Sequence, residues 1–220
     1  MRPLPRPVAN AGRRLARAGA VLLFVALAGC GAPREAPLPA GTPVLVIGDS
    51  ITAGYRVDAG QAWPALLAER TGWRVAAAGV SGDTTAGGRA RLPALLDAHA
   101  PALVVIELGG NDLLRSVPPT EIAANLEAMI AAARERDAKV VLVAAPQPTA
   151  LGALTGLSAA PLYRDVAQRM HVALVEKALP AVLSEPDLKL DALHPTPAGH
   201  AVLADRVVEE LAAAGFVARR

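Results

Sequence analysis

The chain has 220 residues, of which 53% are apolar, 19% charged and 3% aromatic. That supplies the core of one compact domain and excludes a disordered chain, while the presence of only one long apolar stretch excludes a multi-span membrane protein. The net charge of +2 is no signal for nucleic acid, because residues 1–29 hold five arginines and no acid, leaving 17 basic against 20 acidic residues in the remainder.

The leader reads as an address. Residues 18–29 (AGAVLLFVALAG) form an apolar run too short to span a bilayer, which needs about 20 residues. A basic start, a short apolar middle and small residues at its end make a secretory signal. The run closes Leu27-Ala28-Gly29-Cys30, which resembles the bacterial lipobox, and Cys30 is the only cysteine in the chain. A lone cysteine also rules out an internal disulfide or a multi-cysteine metal site. Arg13-Arg14 has poor flanks for twin-arginine export. The expected organisation is a lipoprotein signal peptide over 1–29, a lipidated Cys30 with a flexible Pro-, Ala- and Gly-rich tether over 30–42, and one folded domain over 43–220. The protein is then expected on the periplasmic side of a bacterial membrane. Gly31 in place of an aspartate favours the outer membrane.

Strand and helix patterns then alternate. Val44–Ile47 is a continuous apolar run ending at Gly48, as in a strand covered on both faces. Ala62–Arg70 is a helix with Pro64 in its first turn. Arg74–Ala78 is a weaker strand. Ala86–Ala98 is a helix, with Leu92, Leu95, Leu96 and His99 at helical spacing. Leu103–Ile106 is a second strong strand, followed by Gly109-Gly110. Thr120–Arg136 is a helix with Thr120 as N-cap. Lys139–Ala144 is a third strong strand, stopped by Pro146. Residues 145–160 fit no element and are expected as a mobile surface loop. Leu162–Met170 is a helix, Val172–Val175 a short strand, and Ala198–Ala214 a last helix closed by Gly215. Such alternation implies a parallel sheet with helices on both faces.

In an open α/β sheet, ligands bind beyond the carboxyl ends of the strands. Four polar turns fall there or just before the last helix: Gly48-Asp49-Ser50-Ile51-Thr52, Ser81-Gly82-Asp83-Thr84, Gly109-Gly110-Asn111-Asp112 and Asp191-Ala192-Leu193-His194-Pro195. A serine becomes a nucleophile when a base takes its proton. His194 can be that base, and Asp191 can hold its tautomer and stabilise the imidazolium. The backbone N–H groups of Ser50 and Gly82 and the side-chain amide of Asn111 can supply three donors to a tetrahedral oxyanion. A glycine at 82 lets backbone approach substrate closely. Each turn alone is weak evidence. In this order, each beyond a strand end, they are specific.

The four turns resemble those of the SGNH hydrolases, the GDSL esterase/lipase family. The Ser, Gly, Asn and His of that name match Ser50, Gly82, Asn111 and His194. The likeness extends over GDSITAGYR, AWPALL, VSGDT, ARLPALL and ELGGND, thins from 145 to 190 and returns at DALHP. Within the family it points to a bacterial periplasmic acyl hydrolase. It implies a three-layer α/β/α, flavodoxin-like fold with a five-stranded parallel sheet. It implies hydrolysis of acyl esters or thioesters, with no cofactor and no metal. By resemblance, Ser50 is the nucleophile, His194 the base, Asp191 its orienter, and Ser50, Gly82 and Asn111 the oxyanion donors. Ile51 replaces the usual leucine. The loop over 145–160 differs, so acyl preference does not carry over.

Other polar residues have plainer readings. Asp49 braces the nucleophile turn or the oxyanion loop, Asp83 and Asp112 brace loops, and Glu107 inside an apolar strand needs a partner. Arg115 reads as a solvated arginine, with an anionic head group as its functional alternative. His99, His171 and His200 read as helix or loop residues, and Tyr55 and Trp63 pack near the first loop. The alternatives to an acyl hydrolase are a carbohydrate O-acetylesterase, a two-metal phosphoesterase built from the aspartates and His194, and a non-catalytic acyl-binding lipoprotein. The partners expected are an acyl ester or thioester substrate and a membrane, with no nucleic acid, and the chain is expected to act as a monomer.

Overall fold

Five parallel strands make one sheet in the order β2-β1-β3-β4-β5. In a computed structural model, residues 36–149 and 156–218 are described, with Met1. The segment expected as a signal peptide, Cys30 and the start of the expected tether lie outside the described residues, as does the middle of the 145–160 segment. The described fold belongs to one unit, Ala32–Arg220.

In chain order the elements are β1 (Pro43–Gly48), α1 (Ser50–Ala53), α2 (Trp63–Thr71), β2 (Arg74–Gly79), α3 (Thr85–His99), β3 (Leu103–Glu107), α4 (Gly110–Leu114), α5 (Pro119–Arg134), β4 (Lys139–Val143), α6 (Pro161–Met170), β5 (Ala173–Val175), α7 (Ala178–Ser184) and α8 (Pro197–Ala214). Single 3-10 turns lie at Ala59–Gln61 and Pro186–Leu188. Alternate residues of β1 face opposite ways. Leu45 and Ile47 pack with Leu92 of α3, Leu126 of α5 and Val166 of α6. Val44 and Val46 pack with Leu67 of α2, Val182 of α7 and Val207 of α8. Both faces of the sheet are thus covered, which is why β1, β3 and β4 read as unbroken apolar runs. Three layers, α/β/α, follow.

Local chemistry sets the element ends. Pro64 sits in the first turn of α2, and Gly72 closes that helix in the left-handed region. Thr84 caps α3 through a bond from Gly87 N–H, and Thr196 caps α8 through one from Gly199 N–H. The N-cap expected at Thr120 is not formed. The helix begins one residue earlier at Pro119, whose fixed φ suits the first position, so Thr120 lies within the first turn. The last strand begins at Ala173, one residue after the expected Val172.

The 145–160 segment is tied at its base. Pro146 and Ala159 form an antiparallel bridge, Gln147 N–H donates to Ser158 O, and Ala160 N–H donates to Ala145 O. At the opposite end of the sheet, Leu38 N–H donates to Phe216 O and Gly41 N–H to Gly72 O. No helix among the described residues is long and apolar enough to cross a membrane.

Candidate active site

The carboxyl ends of the strands deliver the four polar turns to one cleft of about 710 Å³. Gly48, the last residue of β1, has no room for a Cβ, which would meet the Thr52 side chain and Glu107 O, so glycine allows the following turn to fold back over β3. Asp49 then caps α1 by accepting from Ile51 N–H at 2.9 Å. Ser50 opens that helix, where its own N–H has no carbonyl one turn back to bind.

The hydroxyl of Ser50 lies 3.0 Å from Nε2 of His194. On the other side of the ring, Nδ1 is 2.9 Å from both Oδ1 and Oδ2 of Asp191. A carboxylate only accepts, so Nδ1 carries the proton and Nε2 is left to accept from the Ser50 hydroxyl. Asp191 Oδ1 also accepts from the N–H groups of Leu193 and His194, which fixes the carboxylate at the tip of its own loop. Burial pulls the Asp191 carboxyl upward, but the bond from the His194 ring, the two N–H groups and the imidazole charge leave it below the ordinary aspartate value. The Tyr55 ring packs on the imidazole with centroids 4.4 Å apart, and the Arg56 guanidinium lies 5.1 Å from the centre of the Tyr55 ring.

The candidate oxyanion donors line the same cleft. Gly82 has φ +78, a conformation that glycine adopts without strain, and Asp83 N–H rather than Gly82 N–H closes the turn onto Val80 O. Asn111 Nδ2 donates one hydrogen to Asp49 Oδ2 at 3.1 Å, which aims the amide and leaves its second hydrogen unspent. Burial pushes the Asp49 carboxyl up to about 6, against the bond from Ile51 N–H and the charge of His194. Glu107 is fully enclosed and accepts from Thr52 Oγ1 at 2.8 Å. Burial, with the charge of Asp49 adding to it, holds the Glu107 carboxyl well above its usual range. That bond pins the turn that carries Ser50.

A second set of bonds holds the loops. Arg91 of α3 donates to Asp83 Oδ2 (2.7 Å), Ala78 O (2.8 Å) and Gly48 O (2.9 Å), stapling the ends of β1 and β2 to the Gly82 loop. Asp112 accepts from the N–H and hydroxyl of Thr85. Arg115 is exposed but not merely solvated, since its Nη2 donates to Gly82 O at 3.0 Å. His200, buried in α8, accepts from Trp63 N–H through Nδ1, and burial, then the charge of His194, pushes its pKa down to about 4. His99 ends α3 and His171 caps α6, both away from the cleft. Asp83 and Asp112, two of the carboxylates considered as metal ligands, are committed to Arg91 and Thr85 and do not join Asp191 at His194.

Reading the sequence alone misses three of these contacts. Tyr55 follows Ser50 by five residues, but nothing in the spacing says that its ring meets His194. Arg91 follows Asp83 by two helical turns, a pair that could have been read. The apolar end of the cleft, with Pro148, Leu157, Leu179, Leu183 and Leu193, comes from separate segments and carries no motif. A larger groove of about 990 Å³ lies at the amino ends of β4 and β5, beside Lys139 and His171, and contains none of these groups.

Comparison with known proteins agrees with this geometry. Residues 46–202 match the GDSL-like Lipase/Acylhydrolase family. An arylesterase of Vibrio mimicus is 38% identical over 178 residues, covering 78% of this chain and 89% of the relative. Thioesterase 1/protease 1/lysophospholipase L1 of Escherichia coli (strain K12) is 34% identical over 177 residues, covering 78% and 84%. The crystal structure of TesA has a TM-score of 0.70 at 40% identity, covering 78% of this chain and 98% of that one. With most of the fold inside the match and relatives named for cleaving ester bonds, the chain belongs to the GDSL-like lipase/acylhydrolase family and is a hydrolase of ester bonds.

Proposed function

We propose that this chain is a serine acyl hydrolase that cleaves acyl esters and thioesters through a covalent acyl-enzyme, working as a monomer held by a lipid on Cys30. The observation that carries the reading is the hydrogen-bonded line Asp191–His194–Ser50 at the mouth of a cleft with an apolar end.

In the reaction, Ser50 Oγ attacks the acyl carbonyl carbon while His194 Nε2 takes the hydroxyl proton. The carbonyl oxygen becomes an oxyanion and receives bonds from Ser50 N–H, Gly82 N–H and the second amide hydrogen of Asn111. As the carbonyl re-forms, the bond to the leaving oxygen or sulfur breaks and His194 returns its proton to that atom. Water then attacks the acyl-enzyme with His194 again as base, releasing the carboxylic acid and restoring the serine. Asp191 keeps Nδ1 protonated throughout. Protonated His194 cannot act as base, so turnover falls in acid.

The relatives are named arylesterase, esterase and thioesterase/protease/lysophospholipase, so their leaving groups differ. The common element is the acyl chain, and Pro148, Leu157, Leu179 and Leu183 favour chains longer than acetyl. A carbohydrate O-acetylesterase would need polar groups at that end instead. The leader supports export with lipidation of Cys30, on the periplasmic side of the outer membrane.

The test is hydrolysis of p-nitrophenyl esters from acetyl to palmitoyl, with and without chelator, by the chain and its Ser50→Ala variant. Chelator-insensitive turnover that drops at least about 10⁴-fold in the variant is expected. Unchanged turnover in a folded variant overturns the mechanism. In cells, radiolabelled palmitate should enter the chain and not its Cys30→Ser variant. No incorporation into the parent, or equal incorporation into both, overturns the anchor.

A further inference from the structure

Four large apolar side chains stand in water: Val80 at 48% exposure, Leu114 at 48%, Leu190 at 44% and Leu193 at 42%. Apart from Met1, these are the exposed large hydrophobic residues among the described residues. Their positions are not scattered. Val80 leaves β2 two residues before Gly82, Leu114 follows Asn111 by three residues, and Leu190 and Leu193 adjoin Asp191 and His194. Leu114 ends α4 and the other three lie in loops, all at the carboxyl end of the sheet, and Leu114 and Leu193 also line the cleft. The apolar rim is therefore continuous with the apolar interior.

Two exposed cations share this rim. Arg115 lies against Gly82, and Arg56 lies over Tyr55, whose ring meets His194. Neither forms an ion pair among the described residues, whereas Arg70, Arg91, Arg136, Arg164 and Arg169 each pair with an acid. The other end of the molecule has the opposite character, with Arg136 paired to Asp97 and Arg134 donating to the carbonyls of Met170 and His171.

We infer that the mouth of the cleft is a docking surface for an anionic phospholipid bilayer. Val80, Leu114, Leu190 and Leu193 enter the boundary between head groups and acyl chains, and Arg56 and Arg115 meet lipid phosphates. Aliphatic residues ringed by unpaired cations are the combination that binds such a boundary, because buried apolar area and attraction to anionic lipid add. Strand order gives the docked molecule a direction. Gly82 and Arg115 lie over β2, and the Leu157, Leu179 and Leu183 wall lies over β4 and β5. An acyl lipid leaving the bilayer can pass its chain toward that wall while its phosphate stays near Arg115, without the chain crossing water. This deepens the acyl-hydrolase reading and rests on it, since it names substrates drawn from a lipid surface.

The experiment exploits the lone cysteine. In the Cys30→Ser chain, a single new cysteine at Val80 or at Glu135, an exposed residue at the far end of α5, carries an environment-sensitive nitrobenzoxadiazole label. Vesicles of phosphatidylcholine mixed with phosphatidylglycerol are then added, and turnover of a water-soluble acetyl ester confirms folding. Emission at residue 80 should rise about twofold or more as the label leaves water. It should stay flat at residue 135, and Leu190→Ser should cut the rise at residue 80 by half or more. No rise at residue 80, or equal rises at both positions, overturns the inference. So does a rise that needs no vesicles and grows with protein concentration, which would assign the rim to a second copy of the chain. Docking is read without lipid turnover, so its failure beside intact esterase activity removes this inference and leaves the acyl-hydrolase reading standing.

Discussion

The end of the cleft over β1, β2 and β3 is made of short turns and hydrogen bonds, whereas the end over β4 and β5 is made of aliphatic walls. At the first end nearly every polar atom is committed: Asp49 to Ile51 and Asn111, Glu107 to Thr52, Asp83 to Arg91, and Gly82 O to Arg115. At the second, Leu157, Leu179 and Leu183 supply surface and no specific bond to a reacting atom. The contrast separates two tasks. Stabilising a developing charge needs donors fixed before the reaction begins. Holding an acyl chain needs only volume and dryness, which many side chains supply equally well.

Changes at the two ends should therefore look different. After Ser50→Ala, the largest effect is expected from Asn111→Ala, which removes one proposed oxyanion donor and lowers kcat about 10²- to 10³-fold, equally for every acyl chain length. A loss confined to long chains would merge the two ends into one. Asp49→Asn leaves a single acceptor where the carboxylate served two donors, and kcat should fall about tenfold, the kinetic equivalent of one charge-assisted bond. It should also change the acid limb. Burial pushes the Asp49 carboxyl up to about 6, so its protonation in acid should cost the parent up to about the same tenfold in kcat. The variant should lack that step, and identical pH profiles would remove Asp49 from the catalytic path.

Leu157→Trp narrows the aliphatic end. It should cost about tenfold in kcat/KM for palmitoyl esters and leave acetyl esters unchanged. Parallel losses for both would show that the wall also positions the carbonyl. The smallest effect on turnover, none, is expected from His200→Gln, which should act on stability alone. His200 has a folded pKa of about 4, below the ordinary 6.5, so the unfolded chain takes up its proton first as pH falls. Stability from this group is present above pH 6.5 and is lost down to pH 4, on the order of 3 kcal/mol. Asp49 acts in the opposite sense. Its raised pKa favours the fold below 3.8, and that contribution fades as pH rises to about 6. Relative to the parent, His200→Gln should gain about 3 kcal/mol in denaturant unfolding between pH 7 and pH 4. A constant difference would mean that His200 does not titrate there.

The same division explains what could be read from the chain. Val44–Ile47, Leu103–Ile106 and Lys139–Ala144 were legible as strong strands, the last ending one residue earlier at Val143, because a strand buried on both faces has no polar alternation. The polar turns that line the cleft were legible because each needs particular residue types, a cap at Asp49 or a positive φ at Gly82. The one-turn helices α1 and α4 were not, because contacts made only in the fold set them, such as the bond from Asn111 to Asp49. Helix α7 was hidden by Pro180 in its first turn, a residue that suits a helix start but reads as a breaker in sequence. Thr120 was a false cap for a related reason, since Pro119 beside it had already fixed the helix start. The tied base of the 145–160 loop rests on backbone bonds, which leave no mark on side-chain pattern.

The bond from Leu38 N–H to Phe216 O brings both ends of the described domain together at the amino ends of the strands, the length of the strands away from Ser50. A support or carrier attached directly at Leu38 or Phe216 therefore meets the base of the domain and leaves the mouth unobstructed, and two domains fused base to base would present clefts in opposite directions.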